Sequence, residues 1–169
     1  MGPGRGPKGG RTVDLLSCIG DLLEEVLRRL EVYPSHSLSK SGGDRASHSL
    51  RTSFLAFTIA RLFRADAAAC ARAALLHDIG YRGGESILQA TLRHAERSAR
   101  IAERLGEPKL VVEAIRDHMF PIAGGPPRSL EAVILWFSDK LDAVLELLGL
   151  SGPLERVARR LVEGQRPRG

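Results

Sequence analysis

From Ala65 the chain runs through an alanine-rich stretch directly into His77-Asp78-Ile79-Gly80. Alanine and leucine lose little side-chain freedom in a helix. The stretch therefore predicts a helix that begins at Ala65-Asp66 and delivers two adjacent polar side chains at its end. Gly80 is expected to stop it by taking the left-handed conformation. Helical apolar spacing recurs on both sides. It predicts helices over Val13–Val32, about Ala46 to Phe63, Leu92 to Leu105 with Gly106 as cap, and Pro108 to near Met119. It continues with Ser129 to Leu148, stopped by Gly149, and a last short helix from Pro153 to about Val162. Between them, residues 34–44, 80–90 and 121–128 read as loops, with a short turn at Glu85–Leu88 inside the second. No strand or internal repeat is evident, so the expected architecture is all-α, a bundle of six or seven helices.

The 169 residues suit one domain with a proper core. The expected organisation is a disordered basic tail over residues 1–12, one helical domain over 13–163, and a second disordered tail over 164–169. The formal net charge of +5 lies at the ends, because residues 1–12 and 153–169 each carry +3 and the body between them −1. The basicity thus forms no stripe across the domain and lacks aromatic or motif support, which ranks nucleic acid last among expected partners. Cys18 and Cys70 form no CxxC pair and read as buried, reduced residues of a cytosolic protein. The N-terminus has no apolar signal region, and the apolar run Ala132–Phe137 is too short to span a bilayer. The expected location is cytoplasmic. The apolar last helices suggest a homodimer.

Around the His77-Asp78 doublet, His48 lies upstream in the first turn or so of its helix. His94 is expected to open the fourth helix and His118 to close the fifth. Asp139 follows Ile134-Leu135-Trp136-Phe137 in a helix apolar on most sides, where a carboxylate is expected to be buried and to need a cation or several donors. Asp142, one turn on, is a candidate for supporting a ligand. His36, in the Ser-rich loop, is left out. Neutral imidazole with ionised carboxylate suits divalent ions such as manganese, iron, cobalt or nickel, with magnesium also to be considered. Six candidate ligands, His48, His77, Asp78, His94, His118 and Asp139, are about what two ions require once bridging groups and water are counted.

His48, then Ala74-Leu75-Leu76-His77-Asp78-Ile79-Gly80, then Ser138-Asp139-Lys140-Leu141-Asp142, resembles the HD-domain superfamily of metal-dependent phosphohydrolases in its HDIG variety. The resemblance covers roughly residues 45–148. It implies a first metal on His48, His77, Asp78 and Asp139. Some members hold a second metal with two further histidines, which His94 and His118 match in order and context, and there the doublet Asp bridges. His118-Met119-Phe120-Pro121 also looks like a segment of small stand-alone members. Many relatives carry Lys directly after HDIG, whereas here Tyr81 stands there, followed by Arg82. The Gly-Tyr-Pro signature of the cyclic-dinucleotide phosphodiesterase branch is absent.

The implied function is hydrolysis of a phosphomonoester or phosphodiester, nucleotide-like in kind, by water that a divalent ion activates by lowering its pKa from 15.7 to about 7. Asp78 would bridge the ions or orient the nucleophile. Arg51, Arg82 and Lys140 are the candidates for neutralising charge on the transferring phosphoryl group, and Glu85 is a candidate for acid–base chemistry. Two other readings remain at this stage: a non-catalytic module that binds a nucleotide or partner protein, and a dinuclear-iron oxygenase on the same scaffold.

Overall fold

The computed structural model describes residues 14–30, 33 and 44–163, apart from the side chains of residues 87, 161 and 162. The two expected tails, most of the loop over 34–44 and His36 lie outside the described residues. Among the described residues there are eight α-helices and no strand: α1 Leu15–Ile19, α2 Leu23–Leu30, α3 Arg45–Phe63, α4 Ala67–Leu76, α5 Ile87–Arg104, α6 Lys109–Asp117, α7 Leu130–Leu147 and α8 Gly152–Glu163. None is long and apolar enough to cross a membrane.

Helix α4 is the centre of the packing. Seven of its ten residues are buried, from Ala69 to Leu76, and it touches α1, α3, α6 and α7. A helix that is apolar nearly all round belongs inside a protein. Its alanines let the surrounding helices approach closely, which brings the ends of several helices to one place. Arg72 is its polar exception. It leaves the core to meet Asp21, Glu107 and the carbonyl of Cys18, fastening the α1–α2 turn and α6 to α4.

Helix starts follow local chemistry. Asp14, Asp44, Asp66, Ser86 and Ser129 each accept a hydrogen bond from the backbone N–H three residues on, satisfying donors that the helix leaves free. Gly106 and Gly149 take positive φ of 81° and 71° where α5 and α7 end, as the sequence suggests.

Three expectations are corrected. The stretch over Val13–Val32 is two helices, because the chain turns at Gly20-Asp21-Leu22 between α1 and α2. Residues 87–91 are helix rather than loop, since Ser86 caps at Gln89 N–H and starts α5 five residues early; His94 consequently lies inside α5, not at its opening. Gly80 is not among the residues with positive φ. A glycine is needed there for a different reason. Gly80 N–H donates to Ser98 Oγ at 2.9 Å, and a β-carbon on Gly80 would stand 2.5 Å from Ser98 N and 2.8 Å from the carbonyl carbon of Arg97. The glycine permits backbone contact between the doublet's turn and α5.

Candidate metal centre

Five helices contribute to one buried polar cluster. His48 is the fourth residue of α3, His77 and Asp78 come from the end of α4, His94 from α5, His118 from the end of α6, and Asp139 from α7. All are buried, from fully in His48 and His118 to 7% exposed in His94. His77 and His118 occupy equivalent places, each the helical residue just past the last turn. There the final carbonyls of a helix have no partner of their own. His77 Nδ1 donates to Ala74 O at 2.7 Å and His118 Nδ1 to Ile115 O at 2.6 Å. His94 Nδ1 donates to Ala90 O at 2.8 Å, and His48 Nδ1 to Asp142 Oδ2 at 2.7 Å.

Donation from Nδ1 leaves Nε2 as the inward atom of all four rings. His48 Nε2 lies 3.3 Å from His77 Nε2 and 3.2 Å from Asp139 Oδ1, and His77 Nε2 is 3.5 Å from the same oxygen. On the other side, His94 Nε2 lies 3.1 Å from His118 Nε2 and 3.3 Å from Asp78 Oδ1. His77 Nε2 is 3.7 Å from that Asp78 oxygen. Two atoms each about 2.0–2.2 Å from one metal ion stand roughly 3–3.5 Å apart. The donor set therefore fits divalent metal in kind and spacing, with outer hydrogen bonds fixing each imidazole. His48, His77 and Asp139 form one close group, His77, Asp78 and His118 another.

The electrostatics point the same way. Burial works against charge on His48, but hydrogen bonds to Asp139 and Asp142 outweigh it and carry its pKa up to about 10. Burial, reinforced by the neighbouring His77 and His94, takes His118 down to about 3. Burial also lowers His94. Asp78 and Asp139 are held well below the usual carboxylate range although burial opposes it, Asp78 by the charges of His77 and Arg45 and Asp139 by hydrogen bonds from His48 and His77. Asp78 and Asp139 are thus carboxylates that call for a cation, His94 and His118 imidazoles that keep their lone pairs, and His48 an imidazole that holds a proton between its two aspartates.

The residues expected to neutralise phosphate separate into three situations. Lys140 is at the cluster, with Nζ 2.6 Å from Asp139 Oδ2 and its side chain 38% exposed, so it reaches solvent at the rim. Arg51 does not serve there. It is buried and all three of its nitrogens are taken, by Asp142, Glu146 and Glu155 at 2.6–3.2 Å. It fills the third close group of acidic and imidazole side chains, His48, Asp142 and Glu146, with an internal cation. Arg82 is exposed and lines a cavity beyond Tyr81. Glu85, the acid–base candidate, is held by two hydrogen bonds of 2.7 Å from Arg97, which keep its carboxyl below the ordinary value.

Sequence reasoning missed Arg45. In the first turn of α3, its Nη1 pairs with Asp78 Oδ2 and its guanidinium lies 3.6 Å above the Tyr81 ring. Its place three residues before His48, on the same helix face, was the available signal.

The HD domain family matches residues 45–144. The chain belongs to the HD-domain family. That is the superfamily which the spaced His, His-Asp and Asp implied, and a solved HD domain shares this architecture: that of the L. monocytogenes phosphodiesterase PgpH superposes with a TM-score of 0.57 over 85% of this chain and 86% of that one. At 17% identity the likeness speaks for the fold. In sequence the chain is 36% identical over 105 residues to Ribonuclease Y of Borrelia garinii subsp. bavariensis, covering 62% of this HD-domain chain and 20% of the relative. To Ribonuclease Y of Thermus thermophilus it is 36% identical over 108 residues, covering 64% and 18%. The chain thus spans about a fifth of the length of these curated relatives. The expectation that ranked nucleic acid last finds no support in relatives that carry the name ribonuclease.

Proposed function

We propose that this HD-domain chain is a divalent-metal-dependent hydrolase of phosphodiesters of nucleotide type. The observation that carries the reading is the convergence of four imidazole Nε2 atoms on Asp78 and Asp139, each ring fixed from behind through Nδ1. His48, His77, Asp78 and Asp139 would hold one ion. Asp78, His94 and His118 would hold a second. Bound there, divalent metal supplies a Lewis acid for a phosphoryl oxygen and a water deprotonated near neutral pH.

The chain's own residues do the positioning. Asp142, itself gripped by Arg51, orients His48. Arg45 holds Asp78 from the side opposite His94 through the second carboxylate oxygen. Lys140, partly in solvent beside Asp139, is the cation best placed to meet a phosphoryl oxygen of the substrate. A diester is favoured over a monoester because the relatives by sequence carry the name ribonuclease, and the bond a ribonuclease cleaves is a phosphodiester.

The test is metal content by elemental analysis of protein purified without chelator, together with hydrolysis of bis(p-nitrophenyl) phosphate in manganese or iron. Two ions per chain and metal-dependent turnover, both abolished in Asp78→Ala with the helical circular dichroism retained, is the expected result. Full turnover in Asp78→Ala would sink the assignment.

A further inference from the structure

Beyond the His77-Asp78 turn lies a cavity of about 350 Å³. Arg29, Arg82, Arg97, Arg100 and Arg104 line it, and no carboxylate does. Three of these arginines have acidic partners outside the lining, Arg29 with Glu25, Arg97 with Glu85 and Arg100 with Glu96. Arg82 and Arg104 have no carboxylate partner among the described residues, and Arg97 Nε is buried without an acceptor. The cavity wall therefore carries five guanidinium groups and no carboxylate, two of the five without an ion pair among the described residues.

Two aromatic rings complete it. Tyr33 and Tyr81 both line the cavity and meet edge to face with centroids 5.2 Å apart. Tyr81 joins the cavity to the metal centre, because its ring carries Arg45 and Arg45 pairs with Asp78. Along α5, His94, Arg97, Ile101 and Arg104 follow at spacings of three and four residues and so share one helix face. That face leads from a candidate metal ligand to the far arginine over about 15 Å. Both rings are half-buried, with part of each open to the cavity, and cations along a groove with accessible aromatic edges are the chemistry that tracks a single nucleic-acid strand, phosphates on the guanidinium groups and bases against the rings.

From this we infer that the arginine–tyrosine cavity binds the backbone of a single-stranded nucleic acid next to the phosphodiester at the metal centre. The inference rests on the hydrolase reading, since it names the class of substrate that the centre would receive.

The experiment measures fluorescence anisotropy of a labelled, hydrolysis-resistant phosphorothioate oligoadenylate of about 12 nucleotides, within the span of known single-strand sites. The metal-loaded full chain is compared with Arg82→Ala/Arg104→Ala. A control, Arg159→Ala/Arg160→Ala, removes the same charge from α8, and circular dichroism checks the fold of each variant. The cavity variant is expected to bind about tenfold or more weakly, with its log–log salt slope shallower by about 0.7 for each phosphate that the protein no longer neutralises, while the control retains most of the affinity. Equal weakening in both variants would show general attraction to a basic protein and overturn the site. So would unchanged affinity in the cavity variant, absence of binding by the unaltered chain, or binding of AMP as tight as that of the oligonucleotide. Turnover of bis(p-nitrophenyl) phosphate by the unaltered chain is read alongside. If that persists while strand binding fails, the cavity assignment falls and the hydrolase stands.

Discussion

His48 donates its Nδ1 proton to Asp142 at 2.7 Å, and both side chains are completely buried. The same carboxylate takes Nε and Nη2 of Arg51. One aspartate thus sets the direction of a candidate metal-ligating imidazole and anchors the only fully buried guanidinium of the described residues.

Replacing that carboxylate by an amide removes its charge but hardly its volume. Asp142→Asn is expected to weaken divalent-metal binding about 10- to 100-fold, the usual effect of losing the group behind a ligating imidazole. Isothermal titration with manganese measures it. An unchanged affinity would mean that His48 is held by packing alone.

Arg51→Met leaves Asp142 and Glu146 buried, at 0% and 1% exposed, without their counter-charge. Breaking a buried ion pair by removing one partner costs about 3–5 kcal/mol. Urea unfolding of the metal-free protein should show a loss in that range, and a loss below about 1 kcal/mol would contradict the buried network. Were Arg51 a phosphate-binding residue, its removal would instead raise KM with stability intact.

The histidine shifts predict how the metal-free protein responds to pH. His48 is raised from an ordinary 6.5 to about 10, so between those values the folded state holds the extra proton and stability falls as pH rises. His118 is depressed to about 3. Between about 3 and 6.5 the unfolded chain binds the extra proton, and stability falls as pH falls. The lowered Asp78 and Asp139 add to the acid-side loss. Urea midpoints of chelated protein at about pH 5, 7 and 9 should therefore peak at the middle value. Metal entering at neutral pH must displace the His48 proton, which titration in buffers of different ionisation enthalpy detects as proton release.

Both cysteines should be silent towards thiol reagents while the protein is folded. Burial raises the Cys18 thiol and pushes Cys70 up to about 12, with Glu131 and Asp66 adding to it. Thiolate is the reactive form. Ellman's reagent at mildly alkaline pH is expected to find no thiol in native protein and both in guanidinium chloride. Rapid reaction of either in the native state would place it at the surface.

The six ligand candidates were legible because each is a polar residue set in, or at the end of, a helical apolar pattern, and because their order follows a family motif. The helix starts at Asp66 and Ser129 were legible for a similar reason, since a cap acts within three residues. Pairing across the fold was not. Arg45 and Asp78 are 33 residues apart and Arg51 and Asp142 are 91 apart, so no local spacing distinguishes a guanidinium that holds Asp78 from one sealed among acids. Arg51 and Lys140 looked alike in sequence, yet one is fully enclosed and the other stands at the rim. The break at Gly20 was hidden by apolar residues that keep helical spacing on both sides of it. The function of Gly80 was hidden too, because a glycine after a helix suggests a stop signal and its neighbour, Ser98, is 18 residues away.

That contact gives Gly80 the part of a gauge. The turn carrying Asp78 and the helix carrying His94 are held one backbone's thickness apart, and the 3.3 Å between those two side chains is inherited from that spacing. Any β-carbon at position 80 would act as a shim, prying apart parts that the proposed centre would need to close on one ion to within tenths of an ångström. The tolerance of the whole centre is thereby fixed at a residue that has no side chain.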